Sequence, residues 1–142
     1  MTIAPPHITP AITFELTTPG ISIGHFTEVS GLNAEVETLT YNEGGNNEFV
    51  HRLPTRVKYP NLVLKRGISK EDALQRWFQK SHTQAQRTDI TVTMLDHEGR
   101  RVRTWNFVGA YPIKWTGPAF NAGQNQVATE SIEIAHEGLK AV

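Results

Sequence analysis

The sequence contains no cysteine. A disulfide framework and a thiolate metal site are therefore excluded, and the chain is expected to fold unaided in a reducing compartment. Aromatic residues make up only 8%. No apolar run approaches the roughly 18–20 residues that a membrane-crossing helix requires. The first ten residues, Met1 to Pro10, have neither a basic nor an apolar stretch of the kind found in a Sec-type signal, and none is expected. Lys and Arg are missing altogether before Arg52, where Glu15, Glu28, Glu35, Glu37, Glu43 and Glu48 give a formal −6. The remaining 14 basic and 8 acidic residues leave +6 in the rest of the chain, so the net charge is zero. That balance offers no bulk electrostatic case for nucleic acid as a direct ligand. The division is either scattered, solvated charge or a pair of complementary surfaces that meet between copies.

What is present suits one soluble domain over residues 1–142, with residues 1–11 expected as a flexible N-terminal arm. Most of the chain alternates as strands do. Ile12, Phe14 and Leu16 alternate with Thr13, Glu15 and Thr17 up to Pro19-Gly20. A long second run from His25 to Tyr41 keeps Phe26, Leu32, Ala34 and Val36 in one phase, with a bend expected at Gly31. Ile90, Val92 and Met94 mark another strand, and Asp96-His97-Glu98-Gly99 reads as a hairpin turn into Val102–Val108. Tyr111–Trp115 and Val127–His136 complete the set, separated by turn-rich stretches at Thr116-Gly117-Pro118 and Asn121–Asn125. One helix interrupts the strands. Ser69 is placed as its N-cap with Asp72 three residues on, and Leu74, Trp77, Phe78 and Ala85 share a face.

Sites for chemistry are scarce. His7, His25, His51, His82, His97 and His136 lack the spacing of a helical zinc motif, and Gly44-Gly45 lacks the following Lys of a phosphate loop. No Gly-x-Ser-x-Gly elbow exists. Carboxylates pair at Glu35/Glu37 and Glu133/Glu137, where a solvated strand face outweighs a general acid–base pair. Lys65-Arg66 with Arg100, Arg101 and Arg103 would suit phosphate contact, but no aromatic residues are interleaved for stacking. No catalytic residue, metal or cofactor is expected, and the chain is not expected to be an enzyme.

A series of short motifs carries a resemblance instead. Glu28-Val29-Ser30-Gly31-Leu32 is followed by Glu35-x-Glu37, by Tyr41-x-Glu43-Gly44-Gly45-x-Asn47 and by Leu53-Pro54. Lys58-Tyr59-Pro60-Asn61-Leu62 and Leu64-Lys65-Arg66-Gly67 come next, with Trp77 in the helix beyond. Downstream are Trp105-x-Phe107, Ala110-Tyr111-Pro112-x-Lys114-Trp115, Gly117-Pro118, Asn125-x-Val127-Ala128-x-Glu130 and His136-Glu137-Gly138-Leu139. In this order they resemble the short tail-tube proteins of contractile phages and phage-derived extracellular injection systems, over about residues 12–139. Thr55 and Thr129 depart from the family pattern.

The resemblance implies a mainly β protomer, a small β-barrel or sandwich with one flanking α-helix, assembling into hexameric rings that stack into a hollow inner tube. It implies that strands of neighbouring copies join into one barrel around the lumen. The implied partners are copies of the chain itself, a surrounding sheath protein, baseplate or spike-adaptor proteins, tube-terminating proteins and a cargo of DNA or protein effectors. No membrane insertion is implied. Tyr41, Asn42, Glu43, Gly44, Gly45, Asn46 and Asn47 resemble the extended loop that contacts a neighbouring ring, and Glu35 and Glu37 are candidates to face the lumen. Assembly is expected in the cytoplasm, as part of a virion or of a tail-like particle. A tube-initiating or spike-adaptor paralogue at the baseplate is the alternative within the family. A monomeric β-barrel binding an apolar ligand and, third, a hydrolase using the Glu pairs are the alternatives outside it.

Overall fold

Alternating apolar residues can be buried on one side of a sheet only if something covers that side, and here the sheet covers itself. The computed structural model describes residues 12–19, 21–41, 51–68, 72–84, 87–118 and 128–140. Along the chain these residues form β1 (Ile12–Thr18), β2 (Ile21–Phe26), β3 (Glu28–Ser30), β4 (Glu35–Tyr41), β5 (His51–Lys58) and β6 (Leu62–Gly67). There follow α1 (Ala73–Gln84), β7 (Thr88–Asp96), β8 (Arg101–Thr116), β9 (Thr129–Ala135) and β10 (Gly138–Lys140). The main sheet runs β2-β1-β7-β8-β9-β6-β3, with β10 beside β8, while β4 and β5 form a separate two-stranded ribbon. All pairings are antiparallel.

Among the described residues β2 and β6 share no ladder, yet the two ends of the sheet share one core. Leu16, Ile23 and Phe26 from one end pack with Leu62, Leu64, Ile132 and Ile134 from the other. The curl brings Gly24 of β2 against the Arg66 guanidinium of β6, at a spot where an added Cβ would overlap it. Leu74 of α1 enters the same core, and Trp77 and Phe78 pack against it at helical spacing. The helix opens with the Arg76 amide donating to the Asp72 carbonyl at 2.9 Å. Asp72 therefore takes the place assigned to Ser69, which lies outside the described residues, as do Ala85, Asn121–Asn125 and residues 1–11.

Two expected strand boundaries are corrected. The run from His25 to Tyr41 is three pieces, because the chain turns out of the sheet at Gly31, whose φ is +92°. An added Cβ there would lie 2.2 Å from the Asn61 carbonyl oxygen, so only glycine fits. Conversely, Val102–Val108 and Tyr111–Trp115 are one strand. Gly109, at φ +61°, absorbs an irregularity that leaves β8 unbroken, paired with β7 and β10 over its first half and with β9 over its second.

Arg66 is also not where a phosphate-binding residue would be. It is buried and donates to Glu130 Oε1 at 2.6 Å, while Trp115 Nε1 donates to Glu130 Oε2 at 3.3 Å. Its guanidinium lies over the Phe26 ring. Two charges so placed compensate each other inside the core, and neither reaches an outside ligand.

Candidate assembly interface

The ribbon of β4 and β5 stands apart from the sheet, and its register sets what each face carries. Val36 lies opposite Val57, Leu39 opposite Leu53 and Glu35 opposite Lys58. Between Val36 and Thr38 the register shifts, so Thr55 and Arg56 together face Glu37. Residues of β4 alternate between faces. Val36 with Val57 therefore lies on one side, and Leu39 with Leu53 on the other. All four are exposed, at 49%, 47%, 58% and 53% respectively, whereas Leu16, Val92, Ile132 and Ile134 of the main sheet are buried. No single covering layer within the chain would bury both faces of a ribbon.

Beside the apolar pairs sits a compact ion cluster. Arg56 Nε and Lys58 Nζ both donate to the Glu37 carboxylate, Lys58 at 2.7 Å, and the Thr55 hydroxyl donates to the Glu37 carbonyl at 2.9 Å. The bond from Arg56, then that from Lys58, holds the Glu37 pKa down to about 2. A carboxylate held so low is a weak proton acceptor and carries no proton to donate at neutral pH. Glu37 therefore does not present a bare negative charge, and part of the −6 of the first segment is neutralised within the chain. Glu15 is likewise paired, with His25 at 3.3 Å.

The base of the ribbon is firmly built. Its two legs meet where Gly31 lies on the Asn61 backbone. Asn61 Nδ2 donates to Glu133 of β9 at 3.2 Å, and His136 Nε2 lies 3.1 Å from the Pro60 carbonyl oxygen. The His136 ring meets Phe107 edge-on at 4.7 Å and Tyr59 at 5.7 Å. Tyr59 in turn presses on the Gly138 backbone, where no side chain would fit. Burial pushes the His136 pKa below the ordinary imidazole value, against the Pro60 and Gly138 backbone groups that raise it. Asn42, Glu43, Gly44, Gly45, Asn46 and Asn47 lie outside the described residues; Tyr41 is the last residue of β4.

Other polar groups have private partners. Glu137 receives Arg87 at 2.7 Å and Glu133 receives Asn61, so this second carboxylate pair is divided between separate bonds. Arg100 is tied to Asp96 and Glu98, and Arg103 lies over Trp105. Among the described residues no group of three or more His, Asp or Glu is placed to hold a metal ion. An open groove of about 660 Å³ separates α1 from β2, lined by Ile21, Ile23, Trp77, Arg76 and Lys80 among others.

Comparison with known proteins agrees with this architecture. The profile of the family described as T4-like virus tail tube protein gp19 matches residues 10–140. Among solved structures, a chain of the sheath–tube complex of an extracellular contractile injection system, PVC, in its extended state, is 27% identical. It superposes with a TM-score of 0.74, over 91% of this chain and 88% of that one. A chain of the six-fold symmetrised baseplate of the anti-feeding prophage shares the fold at 24% identity and a TM-score of 0.76, over 97% and 96% of the two chains. So does a chain of the PVC sheath/tube terminator structure, at 24% and 0.75, over 99% and 98%. No curated protein sequence matches the chain significantly.

Proposed function

The chain belongs to the family of the T4-like virus tail tube protein gp19, and from that premise we propose that it is the repeating subunit of an inner tube. Copies close into six-membered rings, and the rings stack into a hollow tube that a contracting sheath drives across a target envelope. The observation that carries this reading is the ribbon of β4 and β5. It is held at a rigid base and bears exposed apolar pairs on both faces, as expected of a segment that inserts between other subunits. Head-to-tail contacts close into a ring when the rotation closes and grow without limit when it does not. A tube uses both, laterally and along its axis. The segment Tyr41–Asn47, of which Tyr41 alone is described, is the proposed contact with the neighbouring ring. Sheath, baseplate and terminator proteins are the partners such a tube requires, and DNA or protein effectors its cargo.

The test is direct. Purified protein viewed by negative stain should form rings and tubes, alone or when seeded with baseplate components. Deletion of residues 42–47 should abolish tube growth and leave the protomer folded by circular dichroism. Normal tubes after that deletion, or monomers alone at every concentration, would overturn the reading. A second reading, a subunit of the baseplate or of the tube end, is favoured by the shared fold of the anti-feeding prophage baseplate and PVC terminator chains. It predicts single rings that never lengthen.

A further inference from the structure

The main sheet has a second face, and its composition is unlike the rest of the molecule. In β1, β7 and the first half of β8, Leu16, Val92 and Trp105 lie in one cross-strand row on the core side, as do Phe14 and Met94. The residues between them point the other way. One row reads His25, Glu15, Thr93 and Thr104 across β2, β1, β7 and β8. The next reads Thr17, Thr91, Asn106 and Lys140 across β1, β7, β8 and β10. Within the rows the groups bond mainly to one another: Thr91 Oγ1 donates to Asn106 Oδ1 at 2.7 Å, and Thr17 Oγ1 donates to the Thr91 carbonyl at 3.4 Å. Thr93 is only 8% exposed, wedged among its neighbours. Helix α1 packs on the opposite, core side. Among the described residues no element lies over the threonine face.

Surfaces that bind partners concentrate aromatic and apolar anchors, and these two rows have none. Exposed apolar residues lie mainly elsewhere, on the ribbon and at positions such as Ile21; on this face Val102, two residues before Thr104, is exposed at the hairpin end of β8, outside the two rows. Threonine favours a strand because it is β-branched, and it meets water through a hydroxyl without carrying charge. The formal charges in the rows are Glu15, which is paired with His25, and Lys140 at the margin. Such a face is built to stay a sheet and to offer a passing molecule few anchors.

We propose that this threonine face lines the lumen of the tube, an assignment that rests on the inner-tube reading above. The direction follows from shape. Core, helix and the β9-β6-β3 part of the sheet all lie behind the strip β2-β1-β7-β8, on its core side or beyond it. Protomers placed side by side in a ring have less room toward the axis than away from it. The bulky side therefore faces outward, and the bare strip faces in. Among the described residues β2 shares a ladder with β1 alone, which leaves its other edge to continue into the strip of the next copy. The lumen wall is then a ring of hydroxyls with compensated charge, and not a rim of bare glutamates.

Because the chain has no cysteine, single introduced thiols report position cleanly. His25→Cys and Thr17→Cys should each be labelled by a small maleimide in assembled tubes, yet resist a maleimide carried on a long polyethylene glycol chain. In dissociated protomers both reagents should react, and in tubes Gln79→Cys on the exposed side of α1 should accept both. Reaction of the two face thiols with the long reagent in tubes would place them outside. Protection from both reagents would make the face a subunit interface, and either result overturns the assignment. Wild-type protein that forms no rings or tubes would instead defeat the inner-tube reading itself.

Discussion

The main sheet and the β4–β5 ribbon are written in the same alphabet and have opposite fates. Both set valine and leucine among polar residues, both are antiparallel, and both contain a register irregularity. In the sheet, Leu16, Val92, Ile132 and Ile134 are fully buried; in the ribbon, Val36, Leu39, Leu53 and Val57 stand about half in water. An apolar residue in a strand is therefore not by itself a covered one. One region makes the protomer stable, and the other carries apolar surface that a lone protomer leaves unused.

That contrast can be broken from the sheet side first. Phe107→Ala removes a fully buried ring and should cost about 3–5 kcal/mol in urea unfolding, enough to unfold a marginal domain. Glu130→Ala comes close behind, because it strands the buried Arg66 guanidinium; a loss of about 3–5 kcal/mol is expected. The double change Arg66→Met with Glu130→Leu should recover most of it. At the joint between the two regions, Gly31→Ala forces a side chain into φ +92° and against the Asn61 carbonyl, with an expected loss of about 1–3 kcal/mol. On the ribbon itself, Leu39→Asp with Leu53→Asp should move stability by no more than about 0.5 kcal/mol per site. The same double variant should eliminate tubes in negative stain. A large loss of stability there would show that the ribbon belongs to the folding core after all.

The joint also predicts a modest pH effect. Burial holds the His136 pKa below its unfolded value near 6.5, so the fold prefers the neutral ring. Its contribution is complete above about pH 6.5 and declines as the pH falls toward the depressed folded value. Thermal unfolding between pH 7 and pH 5 should accordingly weaken less in His136→Gln than in wild type. The Glu37 cluster behaves differently: with a pKa of about 2, its bonds to Arg56 and Lys58 should persist throughout that range.

Much of this was legible before the structure. The alternation of Phe14 and Leu16 and of Ile90 and Val92 marked real half-buried strands, and Asp96 to Gly99 is the turn between β7 and β8. Leu74, Trp77 and Phe78 marked the core-facing side of the helix. What stayed hidden depends on distant parts of the chain. Arg66 and Glu130 are 64 residues apart, and neither residue type announces burial. Gly31 looked like a bend within one strand, but its contact with Asn61 makes it a boundary between two regions. The strands from His51 to Gly67 carry Arg, Pro and Lys that obscure their period. For the candidate interface, Tyr41 ends β4 and the rest of the Tyr41–Asn47 region lies outside the described residues, while the pairing of Glu37 with Arg56 and Lys58 had no local sign. The threonine rows were individually visible, yet only the cross-strand register assembles them into a face.

Strand β8 gives the molecule a mechanical character. Its first half is bonded to β7 and β10 and its second half to β9, along one backbone that Gly109 bends but does not interrupt. Separating the two halves of the sheet along that strand strains a whole ladder in shear, with its bonds stretched side by side and not peeled one by one. A subunit that must survive a sudden axial thrust gains from such a tie rod, since a shared strand transmits a pull without a hinge at which to fail.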